Sequence, residues 1–498
     1  MACAAAFGTG GVMSAFAVAF RIPNLFRGLF GEGALTAASI PVLTKKLALE
    51  GPQAVDAVAG RLVGLLVAVL VVVCLAGEGI VGGLYWYQYS DSEAALVLSL
   101  TALMLPYVLL VCTVALLSGV QNVLGQFALP AAMPIILNLF MIAGALGGRW
   151  VVSEPVAELR KGKEIFVLAW AVMVSGIFQV AWQWLAVWRC GLRLRPRLDI
   201  RDPSVRQIVT TMLPMMAGLG AVQVNTLADS LIAYWFVKEP TGPGLAAEPV
   251  GPAILYFAQR LYQFPLGVFA IALATAIFPT LSRYAAQNDL AGLGRTLTRG
   301  MRLASFEALP CLVGLILIRE PLVRVLFGRG QFSKLAGADV RVAWAVSMYA
   351  LGIWAYALNH LMVRAFYALQ NAKTPLRVSV VNVFLNLGLN LLLVNTRLRE
   401  AGLALATSIC AFVQVSTLLV LFHHRIGHIQ WVDFTGGVTR IMLAVGVMAA
   451  ATLAVDHYAA GGMRSSERLI LLVLTGGGSF LAAAWVLRCR ELSEVLRR

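Results

Sequence analysis

Apolar runs of about 20 residues or more follow one another along this chain almost without pause. Each is long enough to cross the roughly 30 Å hydrocarbon core of a bilayer as a helix. No other feature constrains the fold as tightly. In lipid a spanning backbone must satisfy its own hydrogen bonds, and runs of this length do so as helices. About thirteen such segments are expected. The first, over 4–47, bends near Pro23 and Gly31. The longest hydrophilic stretches, near 189–206 and 283–302, leave no room for a soluble catalytic domain. Composition agrees: of 498 residues, 60% are hydrophobic and 13% charged, where soluble domains carry roughly a quarter charged. An ordinary soluble enzyme, a disordered chain and a disulfide-stapled scaffold are thereby excluded. The 7 cysteines form no CxxC and read as small hydrophobes in helices. The N-terminus lacks the basic start of a typical signal peptide.

The net charge of +15 does not point to nucleic acid, because no basic stripe is interleaved with aromatics. In a membrane chain Lys and Arg collect at cytoplasmic helix ends. Alternate loops hold 22 and 14 of them, so the first set, which includes 189–206 and 283–302, is expected inside. Arg21, Arg27 and Arg260 belong to neither set and lie within apolar segments.

The chain repeats itself. Ala34-Leu35-x2-Ala38-x2-Pro41-x-Leu43-x-Lys45 returns as Ala272-Leu273-x2-Ala276-x2-Pro279-x-Leu281-x-Arg283, an offset of 238. Gln121-Asn122 and Leu137-Asn138-Leu139 return as Gln370-Asn371 and Leu385-Asn386-Leu387. Both copies of the first pattern end on a cation, so the repeats run parallel. The expected fold is an all-α polytopic membrane protein: two parallel-repeat helix bundles around a central cavity, as in transporters. An N-terminal lobe over 1–190, a C-terminal lobe over 205–424 and two further helices over 435–490 are expected.

An arginine at a helix centre costs about 2.5–3.5 kcal/mol on insertion scales and needs a reason. Asn24 and Arg27 are three apart and share a helix face. Pro23 frees carbonyls at the same depth. Glu32 is in reach of Arg27, which leaves a structural ion pair open beside an anion site. A guanidinium suits phosphate oxygens because its fork is planar and always charged. Arg21 is either a snorkelling cation or part of the same site. In the second half Arg260 stands between Gln259 and Gln263 with no carboxylate close in sequence, which favours a wet cavity or an anionic ligand.

Asn225 and Asp229 are one turn apart. With Asn382, Asn386 and Thr407, Asp229 forms an oxygen set suited to a hard monovalent cation such as sodium; interhelical hydrogen bonding is the alternative. Glu78 and Glu307 are further intramembrane carboxylates. His424 and His428 have the spacing of two metal ligands on one helix face, or of a basic helix end. Phosphate-loop, zinc-protease and serine-elbow motifs are absent from the sequence.

The segment FRIPNLFRGLFGEGAL over 20–35, continuing to Ile40-Pro41-Val42-Leu43, resembles the signature of the MurJ/MviN family. YFAQRLYQFPLGV over 256–268, FGRGQF over 327–332 and FYALQNAKTP over 366–375 are similar to further family motifs in the same order. The resemblance implies a lipid II flippase of the MOP superfamily in the bacterial cytoplasmic membrane, with two lobes and an extra C-terminal helix pair. It implies transport rather than enzymatic turnover, lipid II and membrane lipids as contacts, and cell-wall synthesis machinery as partner. Asn24, Arg27 and Arg260 match family cavity positions, and Glu32 matches a recurrent acid. Gln259 and Gln263 stand where some members have acids, and Ser14 replaces a frequent Asp. Asp229, Asn382, Asn386 and Thr407 resemble a sodium site of some members, with Asn386 in place of an acid. Coupling to sodium or to the membrane potential is implied, with no organic cofactor. The family's first helix is expected to precede Met1. A related exporter of drugs or other polyprenyl-linked glycans, and a membrane enzyme acting on polyprenyl phosphates, are the alternatives.

Overall fold

The computed structural model describes residues 1–31, 34–87, 92–240, 247–335, 337–459 and 461–496. The chain divides into two compact units, Met1–Ala253 and Ile254–Arg498.

The first unit runs α1 (Ala2–Phe7), α2 (Gly11–Phe26), a π-helical turn π1 (Arg27–Gly31), α3 (Ala34–Glu50), α4 (Pro52–Tyr87), α5 (Ser92–Met104), α6 (Tyr107–Val123), α7 (Ala128–Val151), α8 (Ala157–Arg189) and α9 (Pro203–Phe236). A two-stranded antiparallel hairpin follows, β1 (Lys238–Pro240) with β2 (Ala247–Pro249). The second unit is built on α10 (Gly251–Pro265), a second π-helical turn π2 (Leu266–Ile271), α11 (Ala272–Ala286), α12 (Leu290–Phe327), α13 (Ala338–Leu351), α14 (Ile353–Ala368), α15 (Lys373–Val394), α16 (Glu400–Ile426), α17 (Trp431–Tyr458), α18 (Ser465–Val486) and α19 (Arg490–Leu496).

Among the described residues, ten helices are long and apolar enough to cross a membrane. The α13–α14 pair, bent by 41° at Gly352, makes eleven. Their outward faces are apolar too: Val72, Leu75 and Ile80 of α4 and Phe384 and Leu392 of α15 are all exposed. A helix apolar on every side is stable only when lipid covers what protein does not.

The sequence repeat has a backbone counterpart. Each copy of the Ala-Leu pattern opens a helix, α3 or α11, and each follows a π turn. Pro23 causes part of the first break, since it has no N–H to give to the preceding turn. The N–H of Arg27 is shared between the carbonyls of Pro23 and Asn24. Pro265 stands directly before π2, whereas Pro23 lies four residues ahead of the first residue of π1.

The division into compact units falls at Ala253, beyond the 190–205 stretch that separates the two expected lobes. The reason is packing: α9 and the hairpin lie against α2. Arg21 Nε donates to Ser230 Oγ at 3.0 Å, Gly11 N–H to Glu248 Oε2 at 2.9 Å and Ala253 N–H to Ser14 Oγ at 3.3 Å. Glu248 thus places a carboxylate on the N-terminus of α2, where the helix dipole favours it. Deeper in the first unit, Gln121 donates to Gln183, which donates to Ser118 at 2.9 Å, tying α6 to α8.

The helices of the expected C-terminal pair, α17 and α18, are built onto α12. Phe306 and Leu309 of α12 pack in one cluster with Ile441, Val445, Met448 and Phe480. At one end Arg302 donates to Glu491 at 2.6 Å and to both oxygens of Asp433 at 2.7 Å. Arg341 makes a bidentate pair with Glu400 at 2.6 and 2.8 Å, joining α13 to α16.

Candidate functional site

In the first unit the motif read from the sequence sits where α2 gives way to π1. A π turn widens the helix and is frequent at functional sites. Arg27 is its first residue and is half-buried. Its Nε donates to Asn24 Oδ1 at 2.9 Å. That bond to an amide oxygen orients the guanidinium on the turn. Gly28 follows, and a Cβ there would meet the Gln223 amide, with Cδ at 2.8 Å. Only a residue without a side chain lets Gln223 of α9 lie this close. Arg21, one face away, rests on Ser230, whose hydroxyl donates on to Thr226 O at 3.1 Å. Glu32 lies outside the described residues.

Gln223 and Ser230 are the residues that the sequence reading missed here. The signal was present: Gln223, Thr226 and Ser230 recur at i, i+3 and i+7, one polar face of α9. The reading took Asn225 and Asp229 from the same helix instead. Asp229 is buried.

In the second unit the structure separates residues that the sequence groups together. Gln259 is buried and donates to Tyr349 Oη at 3.0 Å. Tyr262 stacks on Tyr349 with ring centroids 4.6 Å apart, and Tyr356 extends the stack at 5.8 Å. Gln259 thus serves an aromatic interior. Arg260 and Gln263, three apart, are exposed. The Arg260 guanidinium lies 4.9 Å from the Tyr256 ring centroid, a cation–π contact that presents the charge rather than burying it. Arg364 was counted among the loop cations, yet it reaches the end of π2: its Nη1 donates to Thr275 Oγ1 at 2.7 Å and Ile271 O at 3.4 Å. A carbonyl near the π turn thereby gains a donor.

Of the candidate cation ligands, Asp229 belongs to the first unit and Asn382, Asn386 and Thr407 to the second. The three in the second unit enter hydrogen bonds within and between helices. Asn382 Nδ2 donates to Gln414 Oε1 at 3.2 Å, Asn386 Oδ1 accepts from Asn390 at 2.7 Å and Thr407 Oγ1 donates to Leu403 O at 2.9 Å. His424 and His428 do not share a helix face, because α16 ends at Ile426 and Gly427 turns left-handed with φ 69°. No group of three His, Cys, Asp or Glu suited to a metal occurs among the described residues.

Comparison with known proteins covers nearly the whole chain. Residues 3–473 match the family described as "Lipid II flippase MurJ". The chain is 31% identical over 492 residues to "Probable lipid II flippase MurJ" of Rhizobium meliloti (strain 1021), covering 96% of this chain and 87% of the relative. It is 32% identical over 424 residues to the protein of the same description from Vibrio cholerae, covering 82% and 76%. The fold is similar to a solved "Lipid II flippase MurJ, inward closed conformation", with TM-score 0.73 at 18% identity, covering 97% of this chain and 94% of that one. It is also similar to an inward-facing multidrug resistance MATE family transporter of the MOP superfamily, with TM-score 0.69 at 13% identity, covering 86% and 94%. With a family match spanning 3–473, relatives above 30% identity and an all-helical fold built on an internal repeat, the chain belongs to the lipid II flippase MurJ family.

Proposed function

We propose that this chain is a multi-pass protein of the bacterial cytoplasmic membrane that moves lipid II from the inner to the outer leaflet by alternating access. It is a transporter, and no covalent chemistry is asked of it. The observation that carries the reading is the Asn24–Arg27 pair at the junction of α2 and π1, in a chain that aligns with lipid II flippases along most of its length. The substrate presents a pyrophosphate, and a planar guanidinium held by a neutral amide suits its oxygens. Arg260 with Gln263 is the second unit's contribution, the cation exposed beside a hydrogen-bonding amide. Arg21 supports the first site through Ser230. Membrane potential supplies direction, since one charge moved through 100 mV is worth about 2.3 kcal/mol. A sodium gradient is the weaker driver in this reading, because Asn386 Oδ1 already accepts a hydrogen bond from Asn390. Cell-wall synthesis enzymes that consume lipid II are the partners the reading calls for.

An exporter of drugs or another glycan lipid is not favoured: identity to the MATE transporter is 13%, against 31% to a lipid II flippase relative. The test is lipid II translocation in cells depleted of their own flippase and expressing this chain at normal levels. The unaltered chain is expected to restore growth and translocation, and Arg27→Ala to lose both. Unchanged translocation in Arg27→Ala and Arg260→Ala together would remove the model.

A further inference from the structure

The first unit also holds a groove whose lining includes no residue of π1. After α8 the chain runs extended over 192–197 and is laid across α4. Its side chains alternate. Leu192 and Leu194 are buried, while Arg193, Arg195 and Arg197 face outward. Alternate residues of an extended chain stand about 6.6 Å apart on one side, so the three guanidinium groups form a row. The strap is seated closely. A Cβ on Gly60 would lie 2.6 Å from Arg195 O, and one on Gly64 2.5 Å from Arg197 O. Arg197 N–H donates to Gly60 O at 3.3 Å. Two acids that follow the strap are engaged elsewhere: Arg61 pairs with Asp199 at 3.2 Å and Asp202 at 2.6 Å. Arg193, Arg195 and Arg197 make no ion pair among the described residues.

Beneath this row opens an apolar groove of about 460 Å3, lined by Val63, Val67, Leu110, Val180 and Trp184, with Arg197 at its mouth. It adjoins a second hollow of about 660 Å3 that shares Leu110, Val180 and Trp184 and continues along α8 to Trp188. Trp188 and Arg189 end α8 just before the strap, the pairing of aromatic and cation found where helices leave the hydrocarbon. Leu198 and Ile200 beyond the strap are 69% and 66% exposed, apolar side chains beside cations, as on surfaces that lie in a membrane interface.

From this geometry we infer a binding site for an anionic membrane phospholipid, with one acyl chain in the α4–α6–α8 groove and the headgroup phosphate on Arg195 and Arg197. Charge complementarity selects the occupant: an apolar slot with Arg197 in its lining, and exposed Arg195 two residues before it, fits an amphiphile with an anionic head. The site is independent of the pyrophosphate site on π1.

The test uses the full chain in phosphatidylcholine vesicles with traces of spin-labelled phosphatidylglycerol or phosphatidylcholine. The motionally restricted fraction of each label gives the relative affinity. Phosphatidylglycerol is expected to be preferred, with the preference falling about fivefold for each of Arg195→Gln and Arg197→Gln and less for Arg193→Gln. Leu110→Trp fills the groove and is expected to release the labelled chain while every charge remains. Equal restriction of both labels by the unaltered chain overturns the proposal, whether or not any variant folds. So does displacement of the label by inorganic phosphate alone, or by undecaprenyl phosphate but not by unlabelled phosphatidylglycerol.

Discussion

The two π turns start from the same instruction and arrive at different surroundings. Each follows a helix with proline in its last turn and leads into an Ala-Leu-x2-Ala-x2-Pro-x-Leu-x-cation helix, α3 or α11. In the first unit the arginine is part of the turn itself, half-buried and hydrogen-bonded to Asn24, with Gln223 lying over the next residue. In the second unit Arg260 precedes the turn by more than one helical turn and lies exposed over Tyr256. There the turn is met by Arg364 instead. A repeated pattern therefore fixes the backbone break, while neighbouring helices decide which cation occupies it. Charge interactions strengthen as water is excluded, so the half-buried cation is expected to carry more of the binding than the exposed one.

The largest effect is expected at Arg27. Hydrogen bonds to charged groups contribute about 1.5–3 kcal/mol, so Arg27→Ala is expected to slow lipid II translocation by about a hundredfold. Arg27→Lys keeps the charge but loses the fork and is expected to recover only part of that loss. Translocation rates in cells with matched expression measure both. Full activity in the lysine variant would show that a point charge suffices.

The close approach of α9 to π1 comes next. Gly28→Leu forces the Gln223 amide away and overpacks the contact, an effect of about 1–3 kcal/mol. Thermal unfolding of purified protein is expected to fall accordingly, and Gln223→Ala in that background to restore part of it, since the two side chains then no longer compete for one space. Independent, additive losses would mean that the two residues do not touch.

The second unit's counterpart is milder. Arg364→Met removes donors from Thr275 Oγ1 and Ile271 O. Loss of hydrogen bonds to a charged donor in a half-buried setting is expected to lower stability by about 1–2 kcal/mol. Circular dichroism melts are the readout, with Thr275→Val as the comparison that removes the Arg364–Thr275 and Thr275–Ile271 bonds but leaves Arg364 on Ile271 O. No change in either variant would leave π2 held by backbone alone.

Much of this was legible in the sequence. Apolar run lengths marked the helices, because a spanning segment must hide its own backbone. The Ala-Leu…Pro…cation echo marked the two places where α3 and α11 begin, because proline and small residues govern how a helix breaks. The Asn24–Arg27 spacing indicated a shared face, and the two side chains meet. Other features depend on neighbours that periodicity does not name. Gln259 and Gln263 are one turn apart, yet Tyr349 covers only the first of them. The polar face of α9 is visible in the spacing of Gln223, Thr226 and Ser230, but not that it packs on α2 and π1. His424 and His428 kept a helical spacing across a residue, Gly427, that ends the helix. Spacing records which residues share a face and is silent on what that face meets.

The smallest effect is expected at Arg260, and it tests the comparison most directly. An exposed cation over an aromatic ring contributes about 0.5–1 kcal/mol. Arg260→Ala is therefore expected to reduce translocation by no more than about fivefold, and Tyr256→Leu to reproduce part of that loss by freeing the guanidinium from its platform. The double variant Arg260→Ala/Tyr256→Leu is expected to match Arg260→Ala alone, because the ring acts through the cation. Raising salt from low to physiological ionic strength is expected to weaken the contribution of Arg260 more than that of Arg27, since screening falls hardest on exposed charges. Equal losses for Arg27→Ala and Arg260→Ala, with equal salt dependence, would overturn the assignment of unequal roles to the two arginines.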